Sequence, residues 1–276
     1  MGSHRTKSGS RLRGHGLRRL LVVAGLAAAG WLGWLLYNET FLASARQVPG
    51  RSLTVKAQLG VPDRDIDVAL EALRVADRYL VEVVGAAAPR DVDLKFATFS
   101  RCVPYVPLRT AGSAVADVDE ICVNTRYQAW PKARTDPRLA TILLAHERFH
   151  NVQGQAGCLP GPGKHEYAWW VEGSATFVGF QAAVRAGLMT DQEAEDELAR
   201  WLAALPNPGP LASYERQIGG DGEYAFAAKA VADLVSRTGP RSLMTFCQTV
   251  GRGVAWRTAF QDAYGMTAEE FYRRRA

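Results

Sequence analysis

Histidine and cysteine are scarce in this 276-residue chain, at five and four residues. None of the cysteines (Cys102, Cys122, Cys158, Cys247) forms a CxxC pair, which argues against a cysteine-ligated zinc site. No internal repeat is present. Acidic residues are missing from positions 1–20, which carry Arg5, Lys7, Arg11, Arg13, Arg18 and Arg19. With these six set aside, 27 of the 33 basic residues face 28 acidic ones, so the net charge of +5 belongs to the tail. A nucleic-acid binder carries its positive charge on the folded domain, as a patch or stripe. A charged tail before an apolar run points to membrane topology instead, and against nucleic acid. The 47% hydrophobic and 22% charged content is that of a globular protein and excludes a disordered one.

The apolar run is Leu20 to Tyr37, LLVVAGLAAAGWLGWLLY, 18 positions without a charge. Roughly 20 such residues span a bilayer, with a range of about 17–25. Trp31, Trp34 and Tyr37 gather at its C-terminal end, as interfacial aromatics do, and the basic tail marks the cytoplasmic side. The expected organisation is a basic cytoplasmic tail (1–19), a membrane anchor (20–37), a linker (38–60) and one extracytoplasmic domain (61–276). The competing expectation is a secreted domain released by signal cleavage. It rests on Arg18-Arg19 and on Ala43-Ser44-Ala45, but the run exceeds the ~7–15 residues of a typical signal core. Four cysteines in an exported domain suggest two disulfides. Of the three pairings, Cys102–Cys122 and Cys158–Cys247 is preferred, the second tying the loop after the first histidine-bearing helix to the C-terminal helices.

Apolar spacing predicts a helix from Asp63 to Gly85, with Ile66, Leu70, Leu73, Tyr79, Leu80 and Val83 on one face. Alternation in DVDLKFATF predicts a strand over 91–99, and EICVN (120–124) a second. Residues 100–118 read as turns. Asp136 and Pro137 open the next helix as cap and first turn, running to about Gly154. Another helix is expected from about His165 to Ala186, and more near 190–204, 221–238, 240–250 and 267–275. The predicted fold is α+β, a small, mostly antiparallel sheet packed on a predominantly helical domain behind one transmembrane helix.

His146-Glu147-Arg148-Phe149-His150 is an HExxH motif on a predicted helix. Residues four apart lie one turn on, so both imidazoles leave the same face and can grip a tetrahedral zinc ion. Glu147, beside the first histidine, can reach a water on that ion. A third histidine in an extended HExxHxxGxxH pattern is excluded, because Gln153 and Ala156 stand where Gly and His would be. The best third ligand is Glu172, a carboxylate in the apolar stretch WWVEGSA (169–175), where burial is costly unless the charge is paired or metal-bound. His165 and Glu166 are rival ligands. Gly173 and Ala175 are small enough to let this helix pack closely on the HExxH helix. Trp169, Trp170, Phe177 and Phe180 at helical spacing read as core, and the acidic run Asp191 to Glu197 as a solvated face.

HERFH followed by WWVEGSA resembles the gluzincin peptidases of the peptidase MA-like branch, whose pattern is HExxH and then WxxEGxA. The later segment AFQDAYGMTAEEFYRR is similar to that branch as well. The likeness spans roughly 60–276 and is specific over some thirty residues. It implies a zincin-like fold, a zinc-dependent hydrolase with two histidine ligands and one glutamate ligand, and an edge strand along which a peptide lies. EICVN is expected to be that strand. No segment corresponds to a domain for recognising substrate termini.

The expected chemistry is hydrolysis of a peptide or protein substrate, with Glu147 as general base. Tyr224 is the expected donor to the oxyanion, with Tyr214 and His165 as alternatives. Two readings compete with a peptidase: a non-catalytic membrane-anchored binding or scaffold domain, and a zinc hydrolase of non-peptide substrates.

Overall fold

The computed structural model describes residues 21–33, 46–47, 53–58, 60–87, 92–97, 114–117, 119–126, 129–159 and 166–275. Helix α1 covers residues 21–33, a length of about 20 Å at ~1.5 Å per residue. Among the described residues no helix is long and apolar enough to cross a membrane. The rest of the expected anchor, Leu20 and residues 34–37, lies outside the described residues, as does Cys102.

Five strands form one sheet in the order β1-β2-β3-β5-β4, comprising β1 (Arg46–Gln47), β2 (Thr54–Ala57), β3 (Asp93–Ala97), β4 (Ala114–Asp117) and β5 (Glu120–Asn124). The expected antiparallel sheet is corrected. The three central strands β2, β3 and β5 are parallel, and only the flanking strands β1 and β4 run antiparallel to their neighbours. The reason lies in two short strands. β2, inside the expected linker, precedes helix α2 (Asp63–Tyr79), so β2-α2-β3 is a crossover unit, and crossovers join parallel strands. β4, inside the expected turn-rich stretch, turns the chain once more, so β5 returns alongside β3 in the same direction. EICVN is therefore interior, paired on both sides, and β4 is the edge strand on its side of the sheet.

Register aligns Val55, Leu94 and Ile121 in one row and Ala57, Phe96 and Val123 in the next. These side chains are buried with Ile66, Ala69 and Leu73 of α2, Trp130 of helix α3 (Trp130–Ala133) and Leu144 of helix α4 (Pro137–Gln155). The opposite face keeps the ion pairs Lys56–Asp93 and Lys95–Glu120. Alternation thus marks the core face along β2, whereas in β5 Cys122 on the other face is buried as well. Helix α2 continues into a π-helical turn, Leu80–Val84, and stops at Gly85, whose φ of 75° is left-handed.

Helix α4 begins as its sequence dictates. Asp136 accepts a hydrogen bond from the Arg138 N–H at 2.9 Å, and Pro137 fills the first turn. Its burial is nearly all round, from Thr141 to Gln153, since α2 and the sheet cover one side and helix α5 (Ala168–Arg185) the other. The remaining helices are α6 (Asp191–Leu202), α7 (Asp221–Thr238), α8 (Ser242–Gly251), α9 (Trp256–Tyr264) and α10 (Ala268–Arg274). Trp169, Trp170 and Phe180 are buried, with Phe177 packed against them, so this stripe is core. The Trp170 indole N–H donates to the Tyr264 hydroxyl at 2.8 Å, and that of Trp169 to the Tyr272 hydroxyl at 3.0 Å. α6 presents its acidic face to solvent behind a Thr190/Glu193 capping box. Cys158 and Cys247 form a disulfide that joins the segment after α4 to α8, and Cys122 is also disulfide-bonded.

Candidate metal centre

Three side chains from two helices converge. His146 and His150 leave the same face of α4, one turn apart, with their Nε2 atoms 3.0 Å from each other. Glu172 of α5 places Oε2 3.3 Å from each of these nitrogens. Among the described residues these three form the group whose donor atoms could hold a metal ion. In a tetrahedral site with bonds of about 2.0–2.1 Å, neighbouring ligand atoms stand about 3.3–3.4 Å apart. A triangle with sides of 3.0, 3.3 and 3.3 Å is close to one face of that tetrahedron, and two imidazoles with a carboxylate are a zinc-type donor set.

The local field favours positive charge at the triangle. Burial alone would lower the pKa of His150, but the charge and hydrogen bond of Glu172, with help from Glu147, outweigh it and raise the value to about 9. For Glu172 burial works upward, yet the two imidazoles hold the carboxyl well below the usual carboxylate range.

The other ring nitrogens are also engaged. His150 Nδ1 lies 2.7 Å from Gln153 Oε1, and His146 Nδ1 lies 3.3 Å from Thr176 Oγ1. Sequence reading named neither partner. Helical spacing holds a signal for both: Gln153 is three residues past His150, and Thr176 is four past Glu172, each on the face of its ligand. Glu147 is 8% exposed, and its charge is felt at both His150 and Tyr224.

Tyr224, in the first turns of α7, sets its ring 6.0 Å from the His146 ring. Burial first, then the charges of Glu172 and Glu147, push its pKa above the ordinary phenol range, so the hydroxyl keeps its proton at neutral pH. Two of the alternatives are described, and each has other surroundings. Tyr214 packs on Phe226 at 5.7 Å, Glu166 is exposed, and His165 lies outside the described residues.

One packing expectation is corrected. Gly173 faces α7, where an added Cβ would meet the Ala227 backbone at 2.7 Å. Gly179 makes the close approach to α4 instead, with Ile142 O 2.5 Å from such a Cβ. The cause is angular: successive residues on a helix are about 100° apart, so residue 173 turns away from the face of Glu172, and residue 179, about two turns on, returns to it.

No family model matches the sequence, and no curated protein does. The fold is similar to solved structures of M1 zinc metallopeptidases. One is from Deinococcus radiodurans, at 18% identity and a TM-score of 0.49. Another is a mutant of a two-domain M1 zinc metallopeptidase bound to L-arginine, at 17% identity and a TM-score of 0.50. In both, the match covers 84% of this chain and 50% of the other, so the chain spans about half the length of these neighbours. At such identity the likeness is one of fold, and that fold is zincin-like.

Proposed function

We propose that this chain is a zinc-dependent peptidase, with the metal held by His146, His150 and Glu172 and with Glu147 as general base. The near-tetrahedral triangle of two imidazole nitrogens and one carboxylate oxygen carries the reading. Held by these three residues, a zinc ion would supply a Lewis acid, lowering the pKa of a water toward about 7 and polarising the scissile carbonyl. Glu147 takes the proton of the attacking water and returns it to the leaving amine. Tyr224, which stays protonated, donates to the oxygen on which negative charge develops. A peptide substrate would lie along β4, the edge strand that packs beside α4, by adding main-chain hydrogen bonds to the sheet. A domain anchored outside the cytosol by residues 20–37 fits two features. Leu21, Val22, Val23, Leu26, Trp31 and Leu32 are all exposed along α1, and disulfides persist in oxidising compartments.

The test is zinc content and peptide turnover of the full-length protein. About one zinc per chain is expected, lost in His146→Ala and in Glu172→Ala. Glu147→Gln should keep its zinc and lose about 10²–10⁴-fold in turnover of a peptide panel. A parent without zinc would overturn the metal reading, and a fully active Glu147→Gln the assignment of the base. Cleavage of esters but of no peptide would leave a zinc hydrolase of another substrate class.

A further inference from the structure

The Gln153 side chain is completely buried and bonded at both ends, and the chemistry of its partners fixes which end is which. Its amide nitrogen lies 3.1 Å from Val171 O and 3.0 Å from Ser174 Oγ, both on α5. A backbone carbonyl can only accept, so the group facing Val171 must be the NH2. Ser174 Oγ in turn donates to the same carbonyl at 3.1 Å, which leaves it a lone pair for the second amide hydrogen. The amide oxygen is therefore the atom 2.7 Å from His150 Nδ1. An amide oxygen has no hydrogen to give, so Nδ1 must carry one. In a neutral imidazole Nε2 is then left with a free lone pair, and Nε2 is the atom facing His146 and Glu172.

Resting on the metal site proposed above, we propose that Gln153 is the positioning residue that sets the ligand tautomer of His150. The device has two halves: the side-chain oxygen holds the proton at Nδ1 and aims Nε2 at the metal position. The side-chain nitrogen anchors that oxygen to the turn of α5 that includes Glu172. The ring of one ligand is thereby referenced to the helix of another. His146 is served separately, with Thr176 as the partner of its Nδ1. The residue that breaks the extended all-histidine motif thus has a positive role in the carboxylate-ligand site. Hydrogen bonds of this kind orient metal-bound imidazoles, and their loss weakens metal binding about 10–100-fold.

The test separates aiming the ring from tying the helices, using the full-length protein with zinc as the probe. Gln153→Met matches the side chain in length but cannot accept from Nδ1 or donate to α5. Gln153→Glu keeps an oxygen for Nδ1 and loses the donor to Val171. Zinc dissociation constants come from chelator competition, zinc-free thermal midpoints from unfolding scans, and the Nδ1 hydrogens from nitrogen-15 spectra of the zinc-loaded protein. We expect Gln153→Met to bind zinc 10–100-fold more weakly. Its exchange-protected His150 Nδ1–H signal should be lost and that of His146 kept. Gln153→Glu should fall in midpoint to a similar degree yet hold zinc within a few-fold of the parent. If both variants lose zinc in proportion to their loss of midpoint, Gln153 only ties the helices and the inference fails. Unchanged zinc binding in Gln153→Met also overturns it and leaves the metal site intact. A parent that binds no zinc overturns the metal site itself.

Discussion

Arg148 fills one of the two unspecified positions of the HExxH motif, and its side chain is 4% exposed. Its Nε donates to Asp77 Oδ1 at 2.8 Å, so the segment bearing both histidines is tied to α2 by a largely buried ion pair. Phe149, the other unspecified position, is fully buried in the helical core. The motif helix is therefore gripped on two further sides by residues the motif leaves open. A buried charge that loses its partner costs about 3–5 kcal/mol, whereas replacing both partners with apolar groups is often close to neutral. With the Asp77 carboxyl 23% exposed, the lower figure applies. Asp77→Ala should thus cost about 3 kcal/mol in urea denaturation of the zinc-free protein, and Asp77→Ala/Arg148→Met should recover more than half of it. A single variant that loses less than about 1 kcal/mol would show that the pair does not hold the helix, being then no stronger than a surface pair.

At the level of elements, α5 is the axis of the site, touching α4 through Gly179 and α7 through Gly173. Each contact admits no Cβ, so Gly→Ala there trades a propensity gain of about 1 kcal/mol against overpacking of about 1–3 kcal/mol. The two substitutions should differ in readout. Gly179→Ala pushes apart the helices that carry the histidines and Glu172, and a 1.4 kcal/mol strain at the site would weaken zinc binding about tenfold. Gly173→Ala displaces α7 and Tyr224, and should lower peptide turnover while zinc binding holds. Equal zinc loss in both variants would mean that α5 moves as a body and the division of faces is wrong. What was legible in the sequence follows the same geometry. HExxH and the Asp136–Pro137 start could be read because they depend on spacing within one helix, and Glu172 because a carboxylate in an apolar stretch calls for a partner. The direction of Gly173 depends on which neighbour lies on which side, a tertiary fact that local pattern does not carry. β2 and β4 escaped because four residues are too few to establish a period, and missing them reversed the reading of the sheet. β5, five residues long and buried in its middle three positions, was found, but its place between β3 and β4 was not.

For the whole molecule, the sheet with α2 and the C-terminal helices grip α4 and α5 from opposite sides, and the chain joining these two helices is pinned at its start. Cys158 bonds to Cys247 of α8, and Gly251 of the same helix packs so closely on Ala156 that a Cβ there would lie 1.9 Å from its carbonyl oxygen. The Tyr167 hydroxyl donates to Cys158 O at 2.8 Å, bringing the far end of the connection back to the bridge. Because the cysteines are 89 residues apart, the bridge removes much freedom from the unfolded chain, worth about 4.6 kcal/mol in the loop-entropy account. The bridge lies outside the contacts that aim the ligands, so its effect should fall on stability and not on metal affinity. Cys158→Ala/Cys247→Ala is expected to lower the unfolding free energy by about 4.6 kcal/mol while zinc binding by the folded fraction stays within a few-fold of the parent. Reduction by dithiothreitol, which also opens the bridge of Cys122, should cost at least as much, and this bears on where the chain works. A domain that draws this much stability from a disulfide should accumulate folded when directed to an oxidising compartment and poorly in a reducing cytosol. If reduction leaves the unfolding midpoint unchanged, the bridge is dispensable and the extracytoplasmic placement rests on the N-terminal segment alone. If Cys158→Ala/Cys247→Ala lowers the midpoint and releases zinc from protein that is still folded, the C-terminal helices take part in holding the metal site, and scaffold and centre are not separate.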